Sequence, residues 1–428
     1  MKKIFLFSLI LLPIVAFPQK RKIKKMLINL EQTHQNHTGF MLYDPGTNAT
    51  LMEYNSAKYF TPASNTKIFT LYASLNVLGD SIPSMYYVER GDSLIFWGSG
   101  DPGWLYSRIE GGTVPEILKN TNKNLYFSSS NFNESHFGPN WAWDDYNYYY
   151  SVERTPLPLY GNYFVVSKDS GQAKLKIDQP AFKKFFWMGD SLVNTPVVRS
   201  YGSNSVQYFP QDINASFSRE VPFSYSDLLI TRLLSDTLKK KVRLIEAPLP
   251  EKYHTTYTHN AANMYQVMMQ ISDNFIAEQL LLLCAGKLSD TLNTSSAINY
   301  SKKFLLADLP DEPIWVDGSG LSRYNLFTPR SVVRLWEKLL DENGREKLFP
   351  LLATGGQAGT IKGWYKSDKP FIYGKTGTLR NNHSLSGYLI TDKGRLLIFS
   401  FMNNNYKGSS GEVKVNMEQV LQFVKENY

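Results

Sequence analysis

Pro62-Ala63-Ser64-Asn65-Thr66-Lys67-Ile68-Phe69-Thr70-Leu71-Tyr72-Ala73-Ser74 opens an apolar run that ends near Leu78. Pro62 blocks an earlier start, and the pattern predicts a helix over 64–78. Ser64 and Lys67 have the S-x-x-K form, and a three-residue offset puts amine and hydroxyl on one helix face. A serine hydroxyl needs a base within hydrogen-bond reach to act as a nucleophile, and lysine becomes one when its surroundings lower its pKa. The partly positive helix start suits a developing oxyanion and disfavours an added cation. Taken alone, the motif has a plainer reading, a capping serine followed by a solvated lysine.

Two later tripeptides supply partners. Ser272-Asp273-Asn274 offers a second hydroxyl to relay a proton and an amide to hold a substrate carbonyl. Lys375-Thr376-Gly377, followed by Thr378, closes a strand that begins FIYG. There the glycine lets a substrate backbone lie close, the strand edge can pair with an extended peptide, and lysine and threonine can bind a terminal carboxylate. Each tripeptide alone also reads as a cap or a turn. What decides is the order S-x-x-K, S-x-N, K-T-G, with each motif on an element that suits its use.

Around these motifs the chain divides by texture. Residues 39–43 and 51–59 read as a hairpin across Asp44-Pro45-Gly46-Thr47-Asn48, leading into the serine helix. Residues 80–250 are short apolar runs broken by Gly, Pro, Asn and Ser, a β-rich insertion with one helix over 228–238. Helical patterns resume over 260–286, 295–309 and 329–340, and three strands and a closing helix follow. The three final strands and the first hairpin make a five-stranded sheet. The expected layout is a catalytic α/β (α+β) unit from 20–79 and 251–428, split by the insertion.

The 428 residues, 43% apolar and 20% charged, are enough for more than one core, and packing accounts for most of the 27 tyrosines. The start, MKKIFLFSLILLPIVAFPQ, has two lysines and a short apolar run, the pattern of a signal peptide over 1–19, with an uncleaved anchor as the alternative, and of an exported, periplasmic or secreted protein. The formal charge of +8 is concentrated in Lys2 and Lys3 and in Lys20, Arg21, Lys22, Lys24 and Lys25. That local excess argues against a nucleic-acid face and for a solvated or envelope-touching helix start. Cys284 is the only cysteine, so no internal disulfide forms and it reads as packing. No G-x-S-x-G elbow is present, and the six histidines lack paired-ligand spacing, which excludes the elbow-type Ser-His-Asp hydrolases and the common zinc hydrolases. His383, close after the third motif, reads as loop or surface structure.

The three motifs together are the set of penicillin-binding proteins and class A β-lactamases. The chain resembles, more narrowly, the DacB-type D-alanyl-D-alanine carboxypeptidase/endopeptidase family, the low-molecular-mass class C penicillin-binding proteins. Gly98-Ser99-Gly100-Asp101-Pro102, Trp141-Ala142-Trp143-Asp144-Asp145 and Asp317-Gly318-Ser319-Gly320-Leu321-Ser322-Arg323 extend the likeness across the insertion and beyond. The resemblance implies a transpeptidase-like core and an acyl-enzyme on Ser64. It implies Lys67 as base, Ser272 and Asn274 as proton relay and substrate guide, Lys375 and Thr376 as carboxylate holders, and the amides of Ser64 and Thr378 as oxyanion hole. Peptidoglycan stem peptides are the implied substrate, β-lactams the covalent inhibitors, and no metal or organic cofactor is required. Asp101, Trp141, Trp143, Asp144 and Asp145 are read as packing and turn residues, and Asp317 and Ser319 as shaping a loop beside the site. A β-lactamase is the enzymatic rival, though no E-x-x-L-N segment supplies its deacylating glutamate; a penicillin sensor or wall-binding protein is the non-catalytic one.

Overall fold

The computed structural model describes residues 16–172, 174–189, 196–209, 216–258 and 261–428. All but the last four residues of the expected signal segment therefore lie outside the described chain. Helix α1 (Ala16–His34) leads into the hairpin β1 (His37–Asp44) and β2 (Ala49–Tyr54). The second strand stops at Tyr54, earlier than the sequence suggested, because Asn55 turns at φ +49°. A 3-10 turn, Ala63–Asn65, then precedes α2 (Thr66–Val77). Ser64 thus sits in the turn before the α-helix rather than in its first residue.

The insertion begins with β3 (Ile82–Arg90), β4 (Ser93–Gly98), the short helix α3 (Glu116–Asn120) and β5 (Asn124–Ser128). It continues with β6 (Tyr163–Lys168), β7 (Lys176–Ile177), β8 (Phe186–Met188), β9 (Val197–Arg199), β10 (Val206–Tyr208) and β11 (Phe217–Pro222). Helix α4 (Asp227–Leu238), β12 (Val242–Leu244) and β13 (His254–Thr258) follow. These strands form a mixed five-stranded sheet, β12-β5-β4-β3-β13, and two three-stranded sheets, β8-β10-β9 and β11-β6-β7.

The returning chain supplies α5 (Ala261–Gln270), α6 (Asn274–Ser289), α7 (Thr294–Tyr300) and α8 (Pro329–Leu348). It ends with β14 (Ala353–Thr354), β15 (Ile372–Leu379), β16 (Asn382–Ile390), β17 (Leu396–Asn404) and α9 (Ser410–Asn427). The main sheet is antiparallel in the order β14-β15-β16-β17-β1-β2, so the first hairpin docks on the last strand, with Phe40 opposite Phe401. The five long strands expected are all there. The sixth, β14, has two residues, too few to carry an alternation pattern of its own.

Strand β17 shows why this sheet is central. Leu397, Phe399 and Phe401 join the core under α1 and α9, while Ile398 and Met402 join the core that holds α2, α5, α6 and α8. A sheet covered on both faces needs apolar residues at successive positions, as LLIFSFM provides. Helix α2 is buried on nearly every side because it runs through the second of these cores, where Phe69 stacks on Phe327 at 4.0 Å. Asp273, between α5 and α6, caps α6 by accepting from the Ile276 amide at 3.0 Å.

Candidate active site

The serine turn is held from two sides. Asn65 is fully buried and, instead of capping α2, donates Nδ2 to the Lys375 carbonyl at 3.0 Å while its Oδ1 accepts from Ser386 Oγ at 2.5 Å. Gly377 presses on the same turn: a Cβ there would meet the Pro62 carbonyl at 2.4 Å and the Ser64 amide nitrogen at 2.9 Å. The space its missing side chain leaves is therefore filled by the serine turn itself, not by an open slot for substrate. Gly320, at φ +84°, approaches from the other side, where a Cβ would meet the Ala63 carbonyl at 2.0 Å.

Lys67 lies under the turn and is 0% exposed, which rules out the solvated lysine of the plainer reading. Its Nζ is 2.9 Å from Ser64 Oγ, 2.6 Å from Asn274 Oδ1 and 2.6 Å from the Ser319 carbonyl. Burial pushes its ammonium down to about 8, against the opposing pull of Asp317, Glu278 and Asp273. A sizeable fraction is then neutral near physiological pH, and a neutral amine 2.9 Å from a hydroxyl can accept its proton.

Ser272 sits in the left-handed region at φ +64°, between α5 and α6, and its Oγ accepts from Lys375 Nζ at 2.8 Å. Lys375 is buried; desolvation, with the charge of Lys67 behind it, holds its ammonium well below the usual lysine range. Thr376 Oγ1 donates to Thr360 Oγ1 at 2.6 Å, and Thr378 Oγ1 lies 2.8 Å from His383 Nδ1. His383 is a buried residue of β16 rather than a loop or surface residue, and burial pushes its imidazole down to about 3, so it is neutral. Asn274 Nδ2 donates to the Tyr150 carbonyl at 2.8 Å, which ties the insertion to the site. Ser64, Lys67, Ser272, Asn274, Lys375, Thr376, Gly377 and Thr378 are thus drawn together from the serine turn, α2, the α5–α6 junction and β15.

Further residues support this group, and the first of them the sequence left unassigned. Glu278, one turn beyond Asn274 on α6, accepts from the Ser319 amide at 2.7 Å and so fixes the carbonyl that Lys67 uses. Its carboxyl is buried, and desolvation together with Asp317 raises its pKa. The i, i+4 spacing from Asn274 was the available signal. Asp317 accepts from the amides of Gly320 and Ser322, from Asn325 and from Trp141 Nε1, and so shapes the loop as expected. Asp101 is buried and accepts from the Gly103 amide at 2.8 Å, a turn role. Asp273 accepts from Tyr106 and Arg108, and Arg108 reaches both Glu220 oxygens at 2.7 Å.

The group opens into a cleft of about 1050 Å³ between the core and the insertion, lined by Ser64 and by Arg108, Arg323 and Arg380. Among the described residues no three His, Cys, Asp or Glu side chains converge to hold a metal ion.

A cleft-lining serine paired with a buried lysine beside an antiparallel sheet is the arrangement of a serine acyl-transfer enzyme. The chain is a member of the D-Ala-D-Ala carboxypeptidase 3 (S13) family, whose model matches residues 19–427. It is 24% identical over 448 residues to the D-alanyl-D-alanine carboxypeptidase DacB of Haemophilus influenzae, covering 92% of this chain and 90% of that protein. It is likewise 24% identical over 436 residues to the D-alanyl-D-alanine carboxypeptidase of Actinomadura sp. (strain R39), covering 87% and 78%. The crystal structure of penicillin binding protein 4 (dacB) from Haemophilus influenzae shares the fold, with a TM-score of 0.75 at 21% identity over 94% of this chain and 99% of that one.

Proposed function

We propose that this chain hydrolyses the D-Ala-D-Ala ends and D,D-cross-links of peptidoglycan stem peptides through an acyl-enzyme on Ser64. The observation that carries this reading is the buried Lys67 amine 2.9 Å from Ser64 Oγ, the serine lining a cleft that three arginines share.

Lys67 takes the Oγ proton as Ser64 attacks the carbonyl of the penultimate D-alanine, and the amides of Ser64 and Thr378 receive the oxyanion. The proton passes through Ser272 to the departing amine of the terminal D-alanine as the peptide bond breaks. Water then hydrolyses the ester, returning the proton to Ser64. Asn274 guides the substrate, Lys375 and Thr376 hold the terminal carboxylate, and Gly377 lets β15 lie against the serine turn. β-Lactams acylate the same serine because their ring amide and carboxylate copy the D-Ala-D-Ala end.

The core from 20–79 and 251–428 carries the chemistry in this proposal, and 80–250 forms the facing wall. We place the protein outside the cytoplasmic membrane, where its substrate is. The exposed Lys20, Arg21, Lys22, Lys24 and Lys25 of α1 are available for an anionic envelope surface. No described helix is long and apolar enough to cross a membrane.

The test is incubation with purified muropeptides carrying pentapeptide stems and D,D-cross-linked dimers, with Ser64→Ala as control and products read by mass. Loss of one D-alanine or conversion of dimer to monomer, absent in the variant, is expected. Penicillin labelling of Ser64 without either product would instead favour a sensor.

A further inference from the structure

The insertion presents two aromatic side chains where packing was expected. Trp143 is 73% exposed and Tyr201 66%. Tyrosine and tryptophan are enriched at contact surfaces, where an apolar ring carries a polar edge. Their rings lie 6.2 Å apart at 88°, a shelf and a wall, and Tyr146 meets Tyr201 at 5.1 Å.

The exposure is built into the fold. Trp143 opens the 3-10 turn Trp143–Asn147, and Tyr201 lies in the turn between β9 and β10. Arg199, 2% exposed, joins the two: its NH2 group donates to the Tyr146 carbonyl at 3.0 Å and its NH1 group to the Ser203 carbonyl at 2.8 Å. The Arg199 amide adds a bond to Asn147 Oδ1 at 3.1 Å, and its guanidinium lies 5.1 Å from the centre of the Tyr146 ring. Burying a cation is costly, and the two carbonyl bonds of this guanidinium, whose Nε has no partner among the described residues, offset part of that cost while fixing two loops whose other visible product is the aromatic pair.

The pair adjoins the cleft through the chain neighbours of Trp143. Ala142 and Asp145, on either side of Trp143 in the chain, line the cleft, as does Tyr149, which also lines an adjoining groove with Tyr148 and Arg219. A stem peptide in the cleft is covalently joined to a sugar chain, so a surface beside the cleft meets sugar. Pyranose rings present flat C–H faces that stack on aromatic rings, with hydroxyl and N-acetyl groups at the edge. The exposed carboxylate of Asp144 is placed to accept from them.

We propose that Trp143 and Tyr201, held by Arg199, form a binding platform for the N-acetylated glycan strand of peptidoglycan. The choice of occupant rests on the substrate proposed above.

The test uses the full chain carrying Ser64→Ala and glycan strands freed of their stem peptides by an amidase, with binding read by calorimetry. Trp143→Ala and Tyr201→Ala, on separate loops, should each weaken binding about tenfold, as loss of an aromatic contact anchor does, while Trp143→Phe retains most of it. In the Ser64-intact protein, Trp143→Ala should leave the rate of penicillin acylation within about twofold, since the change is outside the catalytic group. Absence of glycan binding by the parent protein, or equal binding by parent and both alanine variants, would overturn the platform. Failure of the parent to release D-alanine would count against the proposed reaction and leave the binding result to stand or fall separately.

Discussion

Asn65 and Lys375, 310 residues apart, are joined by a 3.0 Å hydrogen bond from the Asn65 amide to the Lys375 carbonyl. The bond fastens the serine turn to the strand carrying the third motif, and Ser386 completes it from β16. Asn65→Ala strands a buried carbonyl and a buried hydroxyl. It should destabilise the fold by about 1–3 kcal/mol and slow acylation as well. Thermal unfolding and penicillin labelling test this together; an unchanged labelling rate would show that the bond serves stability only.

The pH dependence follows from Lys67. In the mechanism proposed above the reactive form is the neutral amine, and burial brings its pKa down to about 8, so acylation by penicillin should rise through about pH 8 and level off above it. The sign for stability is the same. Between that value and the ordinary lysine pKa, the unfolded chain binds more protons, and stability rises with pH across the window. Lys67→Ala should lose acylation far more than reversible binding, and persistence of the same pH limb in the variant would move the base elsewhere.

Gly377→Ala places a Cβ against the backbone at Pro62 and Ser64, which has no rotamer to yield. Strand β15 must shift away from the turn, and misplacement on the scale of an ångström should lower the acylation rate about 100-fold. Stopped-flow measurement with a chromogenic cephalosporin reads this directly. A rate near that of the parent would mean that the turn and strand separate without consequence.

Arg108 links the second motif to the insertion through Asp273 and Glu220. Arg108→Met leaves the buried Asp273 carboxylate without its cation, a loss of about 3 kcal/mol for a pair of this kind. Since Asp273 sits between Ser272 and Asn274, turnover of muropeptides should fall as well. Restoration of stability without activity by Arg108→Lys would separate the charge from the two-pronged geometry.

The three motifs were legible because their chemistry is carried by residue types at short spacing, and the main strands and helices because apolar periodicity is local. The carbonyl of Ser319 beneath Lys67 was not, since any residue supplies a carbonyl and only the fold places it. Gly377 was legible as a close approach, but not what it approaches. His383 and Trp143 erred in opposite directions: a polar residue was placed in a buried strand by the pairing of β15 with β16, and a tryptophan was held out by two loops stapled through Arg199. Residue type sets a preference, and long-range contacts overrule it.

The docking of β1 between β2 and β17 has a consequence for how the molecule comes into being. Asn36 and Asn403 bond across a separation of 367 residues, so the hairpin made first must wait for the strand made near the end. Such distant pairing slows folding. It also means that a chain cut short before β15 lacks the Lys375 carbonyl and the Gly377 backbone that hold one side of the serine turn, so the site is completed only when the last strands have been made.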